Sequence, residues 1–175
     1  MISAYLDGDG VIAYPTEGVW GLGCLPASAQ AVARILALKQ RSWDQGLLLV
    51  AADIGQFEEY LVGLDKDKRS ELENNWPGPV TYLLPDNGVA PWWVIGTNTT
   101  VGLRVSNHPV VRALCESNGP LVSTSANVTG HPAALTSLQV RRYFGAGVNL
   151  LVPGQLGNSA GPSAIKHLES GENIR

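Results

Sequence analysis

Short apolar runs bounded by glycine, proline or polar residues alternate along the chain with segments whose apolar residues recur every three or four positions. Runs of the first kind predict buried β-strands, and the second spacing predicts amphipathic helices. The predicted strands are residues 11–14, 46–52, 79–85, 101–105, 120–122 and 148–153, with two further short strands around Gly171 in the tail, residues 163–175.

The predicted helices begin at residues that suit helix N-termini. Ser28 is placed to cap a helix over residues 29–39, and Asp53 is placed to cap a helix that buries Phe57. Asp65 or Asp67 is placed to cap a short helix that ends near Trp76. A further helix starts at Pro109 and ends at Asn118-Gly119, and Thr136 caps the last one, residues 137–145. Alternating strands and helices predict a single α/β domain over residues 1–175 with a mixed sheet.

The stretch "VIAYPTEGVWGLGC" (residues 11–24) is interpreted as a strand that ends in a glycine loop. Ordering three glycines costs conformational entropy, so they indicate a tight turn or a ligand that approaches the backbone. Trp20 within it either forms a wall of a pocket or packs in the core. The predicted loop 86–99 is long for a compact domain, which makes it a candidate lid; its Trp92 and Trp93 can equally cover the core.

Composition narrows the class of protein. Of 175 residues, 45% are hydrophobic and 15% charged, which is typical of a globular domain. The net charge of −3 gives no general attraction to nucleic acid or to an anionic membrane. Cys24 and Cys115 are predicted to be buried free thiols, and no leader or membrane span is predicted. We therefore expect a cytoplasmic protein.

Familiar catalytic motifs are missing from the sequence. The glycines fit neither the dinucleotide nor the P-loop fingerprint, there is no G-x-S-x-G elbow, and no His/Cys cluster predicts a metal site. His108, which precedes Pro109, is interpreted as a capping or surface residue. Since ligands of open α/β sheets bind beyond the carboxyl ends of strands, we expect the polar groups there to form the site.

The polar groups that remain are binders of anions and hydroxyls. Lys39 and Arg41 follow the first predicted helix, and Arg104 lies in an apolar strand pattern. Because an unpaired buried arginine is costly, Arg104 needs an anion, either a core carboxylate or a ligand. Ser125 and Asn127 either build a hydrogen-bonded turn or contact a ligand.

Six segments, taken in order, closely resemble the YrdC-type family of L-threonylcarbamoyladenylate synthases. They are "AYPTEGVWGLG", "LALKQR", "WPGPVTYLLP", "VGLRVSNHP", "LVSTSANVTGHP" and "GPSAIKHL". The resemblance implies an open, twisted mixed sheet with flanking helices and a ligand site in a concave cleft. It also implies that L-threonine, bicarbonate (or CO2) and ATP form threonylcarbamoyl-AMP and pyrophosphate, which partner proteins use to modify the adenosine beside the tRNA anticodon.

The same resemblance assigns roles to residues. Lys39 and Arg41 would hold the phosphates as catalytic residues, with Mg²⁺ arriving on ATP and no metal ligand from the protein. The remaining nucleotide-binding residues would be Thr100, Ser125, Asn127 and Arg175, and the threonine-side residues would be Thr16, Arg104, Ser123 and Ser163. This chain departs from many relatives at Gly18 and Trp20, where they have threonine and tyrosine.

Two other readings of the sequence stay open. One is a non-catalytic module of the same fold that binds structured RNA, whose affinity would fall steeply with salt. The other is an enzyme of the same fold that acts on another carbamoyl compound. Weak contact with tRNA is compatible with either an enzyme or a binding module.

Overall fold

All eight strands join one mixed sheet in the computed structural model, which describes residues 2–174. The strands are Ile12–Pro15 (β1), Trp20–Cys24 (β2), Leu48–Ala51 (β3), Val80–Pro85 (β4), Thr100–Val105 (β5), Leu121–Ser125 (β6), Leu150–Leu151 (β7) and Ala164–His167 (β8). Their order across the sheet is β7-β1-β2-β6-β3-β5-β4-β8. β3 runs parallel to β5 but antiparallel to β6, and β4 is antiparallel to β5. The expected mixed sheet with flanking helices is confirmed.

Helices flank this sheet, and the predicted caps are confirmed. The α-helices are Ile2–Asp7 (α1), Ala29–Lys39 (α2), Lys66–Asn75 (α3), Trp92–Ile95 (α4), Pro109–Asn118 (α5) and Ser137–Phe144 (α6). Ser28 accepts a hydrogen bond from Ala31 N at 3.0 Å, Asp65 caps α3, and Thr136 forms a capping box with Gln139. The segment capped by Asp53, Ile54–Leu61, is a 3₁₀ helix, as are Trp43–Gln45 and Gly145–Gly147.

Four predictions of secondary structure were wrong in whole or in part. The glycine stretch is not a loop, because Trp20–Cys24 is strand β2, paired with β1 and β6. The segment 86–99 is not a continuous loop, because it contains helix α4. The strand predicted over residues 148–153 shrinks to Leu150–Leu151, and in the tail one strand, Ala164–His167, is joined by a single bridge between Lys166 and Asn173.

The ring of Tyr14 packs against the glycines of β2, of which Gly21 also lines the cleft described below. In antiparallel pairing Tyr14 stands opposite Gly21, and its ring crosses β2 to reach β6, where its hydroxyl donates to Ser123 Oγ at 3.0 Å. A Cβ on Gly23 would stand 2.8 Å from the Tyr14 ring and 2.6 Å from Val122 O. Gly23 therefore makes room for a side chain of this protein rather than for a ligand.

The two faces of the sheet are covered differently. Alternate residues of each strand point to opposite faces. On one face a main core packs against α2, α3, α4, α6 and the 54–61 helix; it includes Val32, Leu49, Phe57, Leu103 and Val140. On the other face a second core packs against α1 and α5; it includes Leu6, Tyr14, Val50, Leu114 and Leu121. The second core covers only part of its face, and the cleft described below occupies the rest.

Among residues 2–174, none of the helices has the length and apolar character needed to cross a membrane.

The packing of Tyr14 generates a stability prediction. We expect Gly23→Ala to lower the free energy of unfolding by about 1–3 kcal/mol, because the added methyl overpacks the Tyr14 ring against β6. Urea denaturation of wild type and variant measures the difference. The matched control is Gly161→Ala, whose Cβ would meet no atom within 4 Å. Equal stability of Gly23→Ala and wild type would contradict the described packing.

Candidate functional site

A polar cleft of about 270 Å³ lies on the uncovered part of the sheet face. Alternate residues of β5 form the floor of the cleft, namely Thr100, Gly102 and Arg104. The residues between and after them point to the other face and belong to the main core, namely Val101, Leu103 and Val105. Seven of the ten predicted site residues line this cleft, namely Thr16, Arg41, Thr100, Arg104, Ser123, Ser125 and Ser163. The expectation of a concave cleft is confirmed in its geometry.

The polar groups were expected to meet beyond the carboxyl ends of the strands, but the cleft does not lie there. Thr100 is the first residue of β5, and Arg104 is near the end of the same strand. Because β6 runs antiparallel to β2 and β3, and β4 runs antiparallel to β5, the carboxyl ends of these adjacent strands point to opposite edges of the sheet. Polar residues from both ends therefore meet across the face.

Arg104 is paired with a core carboxylate. Its Nη1 donates to Glu17 Oε2 at 2.9 Å, and the side chains are 6% and 13% exposed. The other oxygen, Glu17 Oε1, accepts from Ser106 Oγ at 2.6 Å and from Asn107 N at 3.1 Å. Burial opposes ionisation of Glu17, but the charge of Arg104 and the bond from Ser106 outweigh it and lower the pKa. Of the two partners left open for Arg104, the carboxylate is present in the fold, and Arg104 still lines the cleft.

Glu17 was not among the predicted site residues. The signal that could have found it is Arg104, which lies in an apolar strand and needs a carboxylate nearby. Glu17 sits in the loop between β1 and β2, so its pairing with Arg104 joins segments 87 residues apart. Separation of this kind is set by tertiary structure and not by a local pattern.

The hydroxyls of the cleft are held by internal partners. Thr16 Oγ1 donates to Val19 O at 2.7 Å, and Ser163 Oγ lies 2.9 Å from Thr81 Oγ1. Ser123 Oγ accepts from Tyr14, whose pKa is raised by burial, so that the phenol is neutral and donates. These contacts fix the hydroxyl oxygens at the surface of the cleft before any ligand binds.

Lys39 does not line the cleft but lies behind its wall. It is buried at the end of α2, and its Nζ donates to Ser125 O at 2.5 Å, Asn127 O at 3.0 Å and Asn127 Oδ1 at 3.2 Å. Burial, assisted by the charge of Arg41, lowers the pKa of Lys39 to about 8. Lys39 therefore ties α2 to the end of β6 and places a positive charge next to Ser125.

Asn127 builds the turn that follows β6. Its Oδ1 accepts from Ser125 Oγ at 2.6 Å, and its Nδ2 donates to His131 O at 2.9 Å. Asn127 does not line the cleft, so the turn interpretation describes it better. Ser125 both belongs to this network and lines the cleft. Arg175, the tenth predicted site residue, lies outside the described residues.

Arg41 lines the end of the cleft near the 3₁₀ helix Trp43–Gln45. Its Nη2 donates to Gly46 O at 2.9 Å, which anchors one side of the guanidinium. Beside Gly46 the cleft is also lined by Ile95 and Asn98, which lie in the segment 86–99 that was predicted as a loop and that contains helix α4. Within that loop Trp93 Nε1 donates to Pro26 O at 2.8 Å, and Trp92 is 65% exposed. Trp93 thus covers the core, whereas motion of the loop as a lid stays a prediction.

The segment 157–161, which precedes β8, crosses the loop between β1 and β2. Gly157 N donates to Thr16 O and Ser159 N to Glu17 O, both at 2.9 Å. A Cβ on Gly18 would lie 2.0 Å from Gly161 O, so Gly18 is needed for this crossing. The crossing brings Ser163 to the cleft.

Two interpretations of single residues are settled by burial. Trp20 is 5% exposed and belongs to the main core, so core packing is confirmed over a pocket wall. His108 is 5% exposed, and its Nε2 lies 3.0 Å from Gln155 O. It occupies the N-cap position of α5 but makes no side-chain capping bond, and its burial shows that the surface interpretation was wrong.

Comparisons with known proteins agree with this geometry. The Sua5_yciO_yrdC family model, described as "Telomere recombination", matches residues 4–175. The threonylcarbamoyl-AMP synthase of Nitrosococcus oceani is 51% identical over 176 residues, covering 100% of this chain and 95% of that protein. P. abyssi Sua5 complexed with L-threonine has a TM-score of 0.90 at 27% identity, and the match covers 98% of this chain. The chain spans about half of that Sua5 chain, 51%. E. coli YciO has a TM-score of 0.87 at 25% identity, covering 99% of this chain and 86% of its own.

The buried position of Lys39 predicts a pH-dependent stability. The folded-state pKa of about 8 lies below the ordinary value of 10.5. At pH values between these two pKa values, Lys39 is more protonated in the unfolded chain than in the folded protein. The contribution of Lys39 to the free energy of unfolding therefore rises with pH. We expect the free energy of unfolding of wild type, relative to Lys39→Met, to increase from about pH 7.5 to about pH 9.5. Chemical denaturation of both proteins measures it, and a constant difference over that range would contradict the buried ammonium.

Proposed function

The chain belongs to the Sua5/YciO/YrdC family, and we propose that it is an L-threonylcarbamoyladenylate synthase. It would convert L-threonine, bicarbonate or CO2, and ATP into threonylcarbamoyl-AMP and pyrophosphate. The observation that supports this most strongly is one continuous cleft, with Arg104 on its floor and Arg41 at one end. Two guanidinium groups in one cleft suit a reaction that joins two anionic substrates. Relatives about half identical to this chain carry the name of this activity.

The amine of threonine forms a carbamate by bonding to CO2 with loss of a proton, or to bicarbonate with loss of water. The reaction then joins this carbamate to the α-phosphate of ATP. A carbamate oxygen forms the new bond to phosphorus, and the bond from the α-phosphate to the leaving pyrophosphate breaks. Positioning and charge stabilisation carry a transfer of this kind, so no covalent nucleophile from the protein is required. The cleft supplies the required groups in the form of fixed cations and hydroxyls.

Arg41 is the residue to which we assign direct contact with the phosphates. Its guanidinium lines the cleft, and its Nη2 donates to Gly46 O, so the backbone directs a planar cationic group of the kind that suits phosphate oxygens. Lys39 adds positive charge from behind the wall and holds the backbone of Ser125 and Asn127. ATP would enter as its Mg²⁺ complex, the metal belonging to the substrate. Thr100 and Ser125 would complete the contacts to the nucleotide.

Arg104 is assigned to the carboxylate of threonine, with Thr16, Ser123 and Ser163 as hydroxyl partners nearby. The internal hydrogen bonds of these hydroxyls orient them before substrate binds, which lowers the cost of ordering the site. The product would pass to partner proteins that modify tRNA. The same assignment makes the protein a nucleotidyltransferase that acts in the cytoplasm.

Product analysis tests the proposal directly. The purified protein is mixed with ATP, Mg²⁺, bicarbonate and L-threonine, and the products are separated by chromatography while each component is omitted in turn. We expect a threonylcarbamoyl-adenylate peak that requires every component, with pyrophosphate released. If the folded protein gives no such product but binds RNA with strong salt dependence, the proposal is contradicted in favour of the RNA-binding module.

The role of Arg41 gives a matched pair of variants. We expect Arg41→Ala to lower kcat/KM by about 100- to 1000-fold, because one cationic donor to the phosphates is lost. The control is Arg69→Ala on α3, whose ion pairs with Glu58 and Glu73 lie outside the cleft. Steady-state pyrophosphate release measures both, and circular dichroism checks folding. Wild-type activity in a folded Arg41→Ala variant would contradict the assigned role.

A further inference from the structure

We infer that Glu17 is a positioning residue for threonine recognition, which acts by fixing the guanidinium of Arg104. Glu17 does not line the cleft, so it would not touch the substrate, whereas Arg104 does line it. The inference rests on the proposed function, because it concerns how the carboxylate of threonine would be bound.

The first support is the dependence of Arg104 on a single anion. Within residues 2–174, Glu17 is the sole ion-pair partner of Arg104. Arg104 is 5% exposed, and its buried Nε has no hydrogen-bond partner in that part of the chain. An arginine side chain has considerable rotamer freedom, so one contact at Nη1 decides where the rest of the guanidinium points.

The second support is that Glu17 is itself held in place. Its Oε1 accepts from Ser106 Oγ and from Asn107 N, and its backbone oxygen accepts from Ser159 N. Ser106 is fully buried and, with Asn107, directly follows β5. The end of β5 thus holds the carboxylate that in turn holds Arg104 of the same strand. A carboxylate fixed this way is not free to swing aside when substrate arrives.

The third support is electrostatic. A guanidinium buried without a counter-charge is strongly destabilising, so Arg104 could not stay at the floor of an empty cleft alone. Glu17 compensates the charge through one nitrogen only. The remaining edge of the planar guanidinium is therefore the side available for a substrate carboxylate, and its direction follows from the Glu17 contact.

Glu17→Gln tests this arrangement because it preserves shape and removes charge. Asn107 N needs an acceptor, so the amide oxygen would turn toward it, and the amide NH2 would face Arg104 Nη1 as a second donor. We expect the KM for L-threonine to rise about 10- to 100-fold, with the KM for ATP within about twofold of wild type. We also expect the variant to lose preference for L-threonine over L-threoninol, which lacks the carboxylate. Glu17→Asp, which retains the charge, should recover part of both properties.

The control is Glu71→Gln, which breaks an ion pair with Lys166 outside the cleft and should leave both KM values unchanged. A wild-type protein without threonine-dependent product would overturn the proposed function itself. Product formation by wild type with an unchanged threonine KM in Glu17→Gln would overturn the inference alone. A lowered threonine KM would also overturn it, since Glu17 would then compete with the substrate for Arg104.

Ser106→Ala carries the test if Glu17→Gln does not fold. This variant removes the hydrogen bond to Glu17 and the one that Ser106 Oγ accepts from His108 N, but it leaves the ion pair with Arg104 in place. We expect a smaller rise in the KM for L-threonine, about threefold, and no change in the KM for ATP. An unchanged KM for L-threonine in the folded Ser106→Ala protein would overturn the positioning role.

Discussion

The fold depends on one sheet whose two faces differ: one face is covered by the main core, and the other is covered only in part and carries the cleft. Since strand residues alternate between faces, each central strand supplies apolar side chains to the main core and, one position away, the residues of the opposite face. β5 shows this most clearly, with Val101, Leu103 and Val105 in the core and Thr100 and Arg104 in the cleft. Helices α1 and α5 cover only part of that second face. The uncovered part is the cleft, so the proposed substrate site is a consequence of incomplete coverage of this face.

Burying polar groups on that face requires partners, and the chain supplies them internally. Glu17 forms an ion pair with Arg104, and Tyr14 donates a hydrogen bond to Ser123. Lys39 donates to three oxygens, which belong to Ser125 and Asn127. Each contact satisfies a group that would be costly to leave unpaired and also fixes a side chain or backbone segment of the cleft wall. Stability and preorganisation of the site therefore come from the same interactions. The crossing of the tail over the 16–18 loop, which needs Gly18, adds Ser163 to this arrangement.

Local patterns in the sequence were sufficient to predict most of the α-helices and the apolar character of the core strands. The caps at Ser28, Asp65 and Thr136 act through neighbours three residues away, so sequence alone identifies them. Of the glycines of β2, Gly21 lines the cleft, whereas Gly23 was misread because the ring of Tyr14, which crosses from a paired strand, occupies the space beside it. Seven predicted site residues meet in the cleft, but the buried placement of Lys39 and the partnership of Glu17 with Arg104 arise from contacts 86 to 88 residues apart. The apolar pattern around Arg104 indicates that it needs an anion, but no local pattern identifies Glu17 as that anion or Ser125 and Asn127 as the partners of Lys39.

The central claim is that one cleft holds the amino acid and the nucleotide together. A crystal structure of the protein with L-threonine and a non-hydrolysable ATP analogue bound at once tests it most directly. The account predicts the threonine carboxylate within about 3 Å of the Arg104 guanidinium, with Glu17 still paired behind it and the phosphates beside Arg41. Binding of either ligand outside this cleft, or a threonine carboxylate that makes no contact with Arg104, would contradict the account.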